Sequence, residues 1–389
     1  MNILHITPHL GGGVGKVILN FATNENQNQH DIVCLDKVNA EFFRIYESIL
    51  LEDNWCNSKD MRYYDIIILH FWNHPLLYDF IIRNDILLPP CRLAFWSHTS
   101  GLHMPSGFTK KILAYPDEFV FTTPISHSSK LVQTSGRTFK TIWSTSGIEK
   151  FINLERKPHE GFRIGYIGTV DYAKMHPDFV TMCSSINIPD VKFVVCGGHN
   201  EEQLRKEVED AGMSDKFEIH GYVDDIVPYL ETFDIFGYPL APYHYGTCDQ
   251  VLQEAMAAGI PQVVMNNAME ESMITNCQTG FLCRDIDEYV RAIELFYNNS
   301  QLLKLASKMS RCDALDNFST DTMIHSWQYV FTEMMRWEKT RKMWDLDKTD
   351  LTTYDIFMES IGNIEPGEGP QWESATKGTW QHYKDMLGE

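Results

Sequence analysis

Basic residues are scarce in this chain of 389 residues. Its 53 acidic side chains outnumber 33 lysines and arginines and give a formal net charge of −20. Nucleic-acid binding requires a basic surface that neutralises phosphates, so the deficit argues against a nucleic acid as partner. It also argues against an anionic membrane surface; peripheral membrane contact stays possible but is not indicated. A phosphate group can still bind wherever the local charge is positive.

Long apolar runs and paired cysteine motifs are also missing. No stretch resembles a membrane span, and Met1 leads into a strand pattern without the basic start and apolar run of a secretory leader. The nine cysteines include no Cys-x-x-Cys pair and no metal-ligand spacing, which favours free thiols in a reducing compartment. We therefore expect a soluble, cytoplasmic protein, whose oligomeric state the sequence leaves open.

Strand and helix patterns alternate along most of the chain. Residues 64–71 have the continuous apolar character of a central parallel strand. The alternation predicts the α/β class with open parallel sheets, whose ligands bind at the carboxyl ends of the strands. Strands are predicted at residues 2–7, 31–35, 64–71, 92–97, 119–123, 162–167, 191–196, 216–220, 233–238 and 262–265, and helices from about residue 14 and at 201–211, 224–231, 248–258, 285–298, 301–311 and 320–342.

A polar segment without periodicity, residues 150–161, interrupts this alternation. It predicts a linker between two similar α/β domains with a cleft between them. The first domain is predicted at 1–150 and the second at 161–318. A C-terminal helix at 319–343 and an aromatic-rich tail of unassigned role at 344–389 are predicted to follow.

The most informative segment is residues 245–261. Thr247 followed by Gln250 is a capping-box pattern, which predicts a helix start near Cys248. A glycine-led helix start offers free backbone N–H groups and the positive end of the helix dipole. The run of Gly246, Thr247 and Cys248 is therefore predicted to hold a phosphate.

Glu254 lies inside this predicted helix, among Val251, Leu252, Ala255 and Met256. A carboxylate on an apolar face is costly unless it has a hydrogen-bond partner. The two ribose hydroxyls of a nucleotide would supply such a partner. The alternative is an ordinary capped helix that carries Glu254 on its solvent edge.

A glycine loop follows the first strand of each half. Gly12 and Gly13 lie in the first loop, where the lack of a side chain lets the backbone approach a ligand. This loop fits neither a Walker loop nor the dinucleotide fingerprint, and a tight turn is the alternative. In the second half, Gly168 ends a strand and Lys174 follows, where a cation can meet a diphosphate. Taken alone, Lys174 would be read as a solvated surface residue.

Two more strand ends carry candidate residues. His98 is placed to donate a hydrogen bond to a sugar hydroxyl or to transfer a proton, although a lone histidine is more often structural. Tyr222 follows Gly221, where exposed backbone could contact the edge of a flat base. No Asp-x-Asp pattern at a strand end points to a divalent cation, so no metal site is predicted.

Four segments together carry a family resemblance. Residues 254–261 read Glu-Ala-Met-Ala-Ala-Gly-Ile-Pro, 279–282 read Thr-Gly-Phe-Leu, 146–149 read Ser-Gly-Ile-Glu, and 5–8 read His-Ile-Thr-Pro ahead of the first glycine loop. In this order they resemble family four of the retaining glycosyltransferases. That family has the GT-B fold of two Rossmann-like domains facing across a cleft. The resemblance covers about the first 335 residues and is strongest over 161–282.

The resemblance implies a metal-independent enzyme without a cofactor. Such an enzyme moves a sugar from a nucleotide diphosphate to an acceptor glycan, lipid or small molecule, with retention at the anomeric carbon. By this analogy Glu254 binds the ribose hydroxyls, Lys174 steadies the diphosphate leaving group, and His98 contacts the donor sugar. The other donor-binding positions that the analogy implies are Gly12, Gly13, Gly168, Thr169, Tyr222, Gly246, Thr247 and Cys248.

The chain departs from the family pattern twice. Gly246 stands where the family has a glutamate, and His244 or Asp249 is a hypothetical substitute. Thr169 stands where the family has an arginine, which removes one cation from the leaving group. Three functions therefore stay open: a glycosyltransferase, a nucleotide-sugar epimerase on a similar scaffold, and a catalytically inactive nucleotide-sugar-binding protein.

Overall fold

The structure is a computed structural model. It describes residues 1–36, 44–51, 61–72, 74–84, 88–102, 108–242 and 244–343. The chain divides into two compact units. Unit 1 consists of Met1–Ser146 together with the chain from Thr320 onward, and unit 2 is Gly147–Ser319. The tail predicted at 344–389 lies outside the described residues.

Unit 1 contains a parallel sheet of six strands in the order β2-β1-β3-β4-β5-β6. The strand order reverses between β1 and β3, which makes the carboxyl ends of these strands the natural ligand position. The strands are β1 (Asn2–Thr7), β2 (Gln29–Cys34), β3 (Ile66–Phe71), β4 (Leu93–Ser97), β5 (Glu118–Phe121) and β6 (Lys140–Thr141), and the α-helices are Gly12–Asn24, Pro75–Asn84, Lys110–Ala114, Lys130–Thr134 and Thr320–Met334.

The C-terminal helix Thr320–Met334 completes the core of unit 1. Its Trp327 is fully buried and packs against Trp96 and Phe21, with ring centroids 5.1 Å and 5.8 Å away. The helix ends earlier than the predicted residue 342. After a turn the chain extends, because the backbones of Thr340 and Cys91 exchange two hydrogen bonds across an antiparallel bridge.

Unit 2 contains a second parallel sheet, in the order β12-β11-β10-β7-β8-β9. The first strand, β7, lies at the centre, and the strand order reverses between β7 and β10 as in a Rossmann fold. The strands are β7 (Phe162–Ile167), β8 (Val191–Cys196), β9 (Phe217–Gly221), β10 (Ile235–Tyr238), β11 (Gln262–Met265) and β12 (Gly280–Cys283), and the α-helices are Glu149–Ile152, Phe179–Ser184, Glu201–Asp210, Val227–Leu230, Gln250–Ala257, Ala268–Met273, Ile286–Asn298 and Ser300–Phe318.

The segment that was predicted as a linker is held against unit 2. The Lys157 backbone N–H donates to the Glu231 carbonyl over 2.8 Å. The Arg156 guanidinium reaches the carbonyls of Leu230 and Gly259 at 3.5 Å and 3.3 Å. These contacts explain why residues 150–161 are polar yet ordered as part of unit 2.

The α/β class and the ten predicted strands are confirmed, with shifts of a few residues at some ends. The strands β6 and β12 were not predicted. No helix among the described residues is both long enough and apolar enough to cross a membrane. The eight cysteines that the structure describes are free thiols.

Candidate functional site

A buried ion pair lies where the strand order of unit 2 reverses. Lys174 follows β7, and its Nζ atom is 3.1 Å from Oδ2 of Asp249, with 12% and 10% of the two side chains exposed. The hydroxyl of Tyr238, the last residue of β10, donates to the same carboxylate oxygen over 2.9 Å. The Lys174 loop is fixed by backbone hydrogen bonds from Lys174 to Asp171 and from Ala241 to Lys174. Tight turn chemistry thus places one cation at the carboxyl edge of the sheet.

Electrostatics keep both partners of this pair charged. Burial alone would lower the pKa of Lys174, but the negative charge of Asp249 and the neighbouring Tyr245 raise it above its ordinary value. Burial alone would raise the pKa of Asp249, but Lys174 and His244 hold it below its ordinary value. Lys174 Nζ also lies 5.8 Å from the ring centres of Tyr238 and Tyr245. The site therefore offers a desolvated ammonium at neutral pH.

The adjacent helix begins later than predicted. It starts at Gln250, two residues after Cys248, and Asp249 is its N-cap without a side-chain capping bond. The capping-box prediction was wrong: the N-cap is Asp249 rather than Thr247, and the Asp249 carboxylate is engaged by Lys174 and Tyr238. The Thr247 hydroxyl donates to the Tyr245 carbonyl over 3.5 Å. Thr247 and Cys248 consequently lie in the turn before the helix.

Gly246 is also positioned differently from its predicted role. Its backbone N–H donates to Nδ1 of His244 over 3.0 Å, so this N–H points at a protein acceptor. A Cβ atom at position 246 would lie 2.7 Å from His244 Nδ1 and 3.1 Å from Asp249 Oδ1. A glutamate there would require the His244 ring to move, which gives a physical reason for the glycine.

His244 forms a second buried pair, with Glu270. Its Nε2 lies 3.3 Å from both carboxylate oxygens, and both residues are buried. Because Nδ1 accepts the Gly246 N–H, the ring proton of a neutral His244 is on Nε2, toward Glu270. Glu270 also accepts from Asn267 over 3.3 Å. Neither hypothetical substitute for the missing glutamate is idle: Asp249 pairs with Lys174, and His244 pairs with Glu270.

Glu254 is 8% exposed within the helix Gln250–Ala257, whose Leu252, Ala255 and Met256 are fully buried. The solvent-edge alternative for Glu254 is therefore wrong. This helix begins beside the Lys174–Asp249 pair, and Arg311 binds the backbone carbonyls at its other end. Arg311 donates to the carbonyls of Ala257 and Ala258 over 3.2 Å and 3.0 Å.

Gly168 and Thr169 lie directly after β7. A Cβ atom at Gly168 would lie 3.0 Å from the Tyr238 hydroxyl, so the backbone passes close to the group that donates to Asp249. The Thr169 hydroxyl accepts from Tyr245 over 3.5 Å. Tyr222 follows β9 at the edge of the sheet, and 78% of it is exposed.

The site residues that were predicted in the first half lie in unit 1. Gly12 and Gly13 are the first two residues of the helix Gly12–Asn24 rather than a loop before it. The helix can start this early because glycine tolerates the φ of +67° at position 12. His98 follows β4, and its Nε2 lies 3.0 Å from Nδ1 of His70. Burial lowers the pKa of His98 to about 3, although part of the residue reaches the surface.

The sequence analysis did not identify Tyr238 and Glu270 as members of the site. It named His244, but not as the partner of Glu270. The signal for Tyr238 was its place as the last residue of a predicted strand. Glu270 had no comparable signal, because its contact with His244 joins residues that are 26 positions apart in the sequence.

Comparisons with known proteins bear on both units. Residues 147–312 match the model of the family described as glycosyl transferases group 1. A 2-deoxystreptamine N-acetyl-D-glucosaminyltransferase from Niallia circulans is 27% identical over 122 residues, which are 30% of this chain. The match spans about a third (31%) of the length of that curated relative.

Solved structures share the fold. The structure of Anabaena Alr3699/HepE in complex with UDP has a TM-score of 0.69 at 17% identity, covering 86% of this chain and 100% of that one. A glycosyltransferase from Rickettsia africae has a TM-score of 0.70 at 15% identity, covering 86% and 98%. Sucrose-phosphate synthase from Thermosynechococcus elongatus has a TM-score of 0.67 at 14% identity, covering 86% and 100%. The two Rossmann-like units thus match the fold of GT-B proteins.

Proposed function

We propose that this chain, whose residues 147–312 match the model of the family glycosyl transferases group 1, is a hexosyl-type glycosyltransferase. It would move a sugar from a nucleotide diphosphate sugar to an acceptor glycan, lipid or small molecule, with retention at the anomeric carbon and without a metal. One observation carries the proposal. The Lys174–Asp249 pair lies at the strand reversal of unit 2 beside the start of a helix, where α/β sheets bind ligands.

The reaction expels a nucleotide diphosphate, and the negative charge on that leaving group grows in the transition state. The Lys174 ammonium and the N–H groups at the start of helix Gln250–Ala257 are fixed before the reaction begins. Such preorganised groups are the most effective way to stabilise developing charge. Asp249 keeps the ammonium in place until a diphosphate competes for it.

Glu254 would bind the ribose of the donor. Its carboxylate is held on a buried helix that begins at the ion pair. A carboxylate has two oxygens, which can accept hydrogen bonds from two hydroxyls. The names of two similar proteins support a nucleotide sugar as donor. One is an N-acetylglucosaminyltransferase, and Anabaena HepE has been crystallised with UDP and with UDP-glucose.

A catalytically inactive nucleotide-sugar-binding protein is the second candidate. Thr169 favours it, because a hydroxyl there provides no positive charge for the leaving group. Lys174 is then the single cation among the described residues of the cluster. Loss of one such cation can cost roughly 3–4 kcal/mol of transition-state stabilisation.

A donor screen tests the proposal. Purified protein is incubated with UDP-, GDP- and ADP-sugars, with and without candidate acceptors, and in the presence of EDTA. Released nucleotide together with a product that keeps the anomeric configuration by NMR supports retaining, metal-independent transfer. Tight binding without release supports the inactive protein, and inversion at another sugar carbon supports an epimerase. Absence of any binding by calorimetry would overturn both candidates.

A further inference from the structure

A chain of four imidazoles crosses the sheet of unit 1 and ends at a carboxylate. His98 Nε2 is 3.0 Å from His70 Nδ1, and His70 Nε2 is 2.9 Å from His5 Nδ1. His5 Nε2 is 2.8 Å from His30 Nδ1, and His30 Nε2 is 2.8 Å from Oε2 of Glu25. Neighbouring rings are nearly parallel, with interplanar angles of 25°, 21° and 17°. We call these four histidines the imidazole chain.

Strand pairing produces this geometry. His30, His5 and His70 lie on the adjacent strands β2, β1 and β3, and His98 follows β4. Strands pair about 4.8 Å apart, which is the spacing that one ring with a hydrogen bond on each side can bridge. His5, His70 and Glu25 are at most 2% exposed, and His30 is 4% exposed.

Glu25 determines the direction of every hydrogen bond in the chain. Its carboxylate accepts from the backbone N–H groups of Gln27 and Asn28 and from the side-chain amides of Asn28 and Gln328. Burial opposes ionisation, but the hydrogen bonds from His30, Gln328 and Asn28 hold the pKa of Glu25 below its ordinary value. An ionised carboxylate can only accept, so His30 must donate to it from Nε2.

The same argument passes from ring to ring. A neutral imidazole has one N–H donor and one acceptor nitrogen. Burial first, and the neighbouring imidazoles second, lower the pKa of His5 and of His70 well below the ordinary value, so these rings are neutral at neutral pH. Burial also lowers the pKa of His30, so this ring is neutral too. Since His30 donates from Nε2, its Nδ1 accepts from His5, and His5 Nδ1 accepts from His70. His70 Nδ1 then accepts from His98 Nε2.

We propose that Glu25, acting through the imidazole chain, holds the proton of His98 on Nε2 and leaves a lone pair on its Nδ1. His98 Nδ1 makes no hydrogen bond to any described residue, so its lone pair is the chain's outer end. An acceptor nitrogen takes a hydrogen-bond donor. The ligand group at His98 is therefore a donor, and its assignment to a sugar hydroxyl rests on the proposed function. His5, His30, His70 and Glu25 are positioning residues that act through His98.

Neither a metal site nor simple core packing accounts for the imidazole chain as well. A metal site is not supported, because no group of three or more His, Cys, Asp or Glu in the described residues is arranged to hold an ion. The rings run in a line rather than converging on a point. Simple core packing does not require polar rings at all, since apolar residues fill the same positions without the cost of buried polar atoms.

Nitrogen NMR of the full-length protein with ¹⁵N-labelled histidine tests the proposal directly. Long-range proton–nitrogen correlations near neutral pH report which ring nitrogen carries the proton, and couplings across the hydrogen bonds assign the chain. We expect four neutral rings, each protonated on Nε2. A proton on His98 Nδ1, or a rapid mixture of its two tautomers, overturns the proposal.

The variant His5→Phe interrupts the chain between Glu25 and His98. We expect His98 in this variant to populate both tautomers, whereas His325→Gln, an exposed histidine of the same unit, leaves His98 unchanged. If His5→Phe folds and His98 stays fully protonated on Nε2, Glu25 does not determine the tautomer of His98 and the proposal is overturned. If His5→Phe does not fold, the wild-type spectrum still decides.

The outcomes separate this inference from the proposed function. A failed donor screen with the expected protonation pattern removes the sugar as ligand but leaves the imidazole chain intact. Sugar transfer with His98 protonated on Nδ1 leaves the enzyme intact and overturns the role of Glu25.

Discussion

The Lys174 ammonium lies 3.1 Å from the Asp249 carboxylate, and about a tenth of each side chain is exposed. Pairs buried to this degree contribute little net stability, because the cost of removing both charges from water offsets their attraction. Retaining such a pair at the reversal point of a Rossmann-like sheet is better explained by function. Under the proposed function, the pair holds a positive charge in place for a diphosphate.

Replacing Lys174 with Met should separate the role of the charge from the role of the fold. We expect turnover of the donor to fall by about 10²–10³-fold, the cost of losing one preorganised group that stabilises the leaving charge. We also expect unit 2 to lose about 3–5 kcal/mol of stability, because Asp249 becomes a buried charge without its partner. Steady-state release of nucleotide and denaturant unfolding measure the two effects.

The double variant Lys174→Met/Asp249→Asn is the control for stability. Removing both charges should restore most of the lost stability and none of the lost turnover. Lys206→Met, at an exposed position of unit 2, should change neither. Wild-type turnover in a folded Lys174→Met protein would contradict the assignment of Lys174 to the leaving group.

Glu254→Ala should weaken binding of the nucleotide. Hydrogen bonds to a charged group contribute about 1.5–3 kcal/mol each, so we expect the dissociation constant to rise by at least about 10-fold. Glu254→Gln, which keeps the size and one acceptor oxygen, should lose less. Calorimetry with the free nucleoside diphosphate measures the affinity without requiring turnover, and Glu209→Ala at an exposed position of the same unit is the control. Equal affinities for wild type and Glu254→Ala would remove the ribose contact.

Most of the fold follows from periodicity. Strand β3 (Ile66–Phe71) is apolar except for His70 because it is buried on both faces. The two missed strands are short edge strands. β6 is the pair Lys140–Thr141, and β12 is Gly280–Cys283 with only two buried residues. Edge positions bury one face or less, which leaves little periodic signal.

The sequence predicted those residues of the candidate site that belong to a single local motif. Lys174 and Glu254 each follow a recognisable local pattern, and the structure buries both at the sheet edge of unit 2. The engagement of Asp249 by Lys174 was not predictable, because it joins loops that are 75 residues apart (249 minus 174). The local capping rule also failed at Thr247, because the N-cap is Asp249 and its carboxylate binds Lys174 and Tyr238.

The imidazole chain shows the same limit more clearly. His5, His30 and His70 each interrupt an apolar strand, which is a visible anomaly in the sequence. Their connection depends on the order in which the strands pair, and a sequence does not reveal that order. The sequence identified His98 as a candidate but not the three rings behind it.

Trp327→Ala should destabilise unit 1, although the helix that carries Trp327 follows the rest of unit 1 only after the whole of unit 2. Its side chain is fully buried against Trp96 and Phe21, and removing a buried aromatic ring costs about 3–5 kcal/mol. Tyr329→Ala on the same helix is the control, because 62% of Tyr329 is exposed. Denaturant unfolding measures the stability of both variants. Equal losses of stability would contradict the assignment of Trp327 to the core.

Acidification should unfold unit 1 at a higher pH than carboxylate protonation alone would require. Burial lowers the pKa of His5, His30 and His70 in the folded chain, whereas an unfolded histidine titrates near about 6.5. Below that pH the unfolded state binds protons that the folded state does not bind, so the free energy of unfolding falls as the pH falls. Each ring contributes up to about 1.4 kcal/mol per pH unit in this window. The lowered pKa of Glu25 acts in the same direction at still lower pH.

Tryptophan fluorescence reports on this effect without a signal from unit 2, because residues 147–319 contain no tryptophan. We expect the free energy of unfolding from this signal to fall by several kcal/mol between about pH 7 and about pH 5, as three buried rings would together require. His127→Gln, which replaces an exposed histidine of unit 1, should keep the full slope. His70→Phe, where it folds, should show a shallower one. A flat profile across this range for the wild type would mean that the buried imidazoles titrate alike in the folded and unfolded chain.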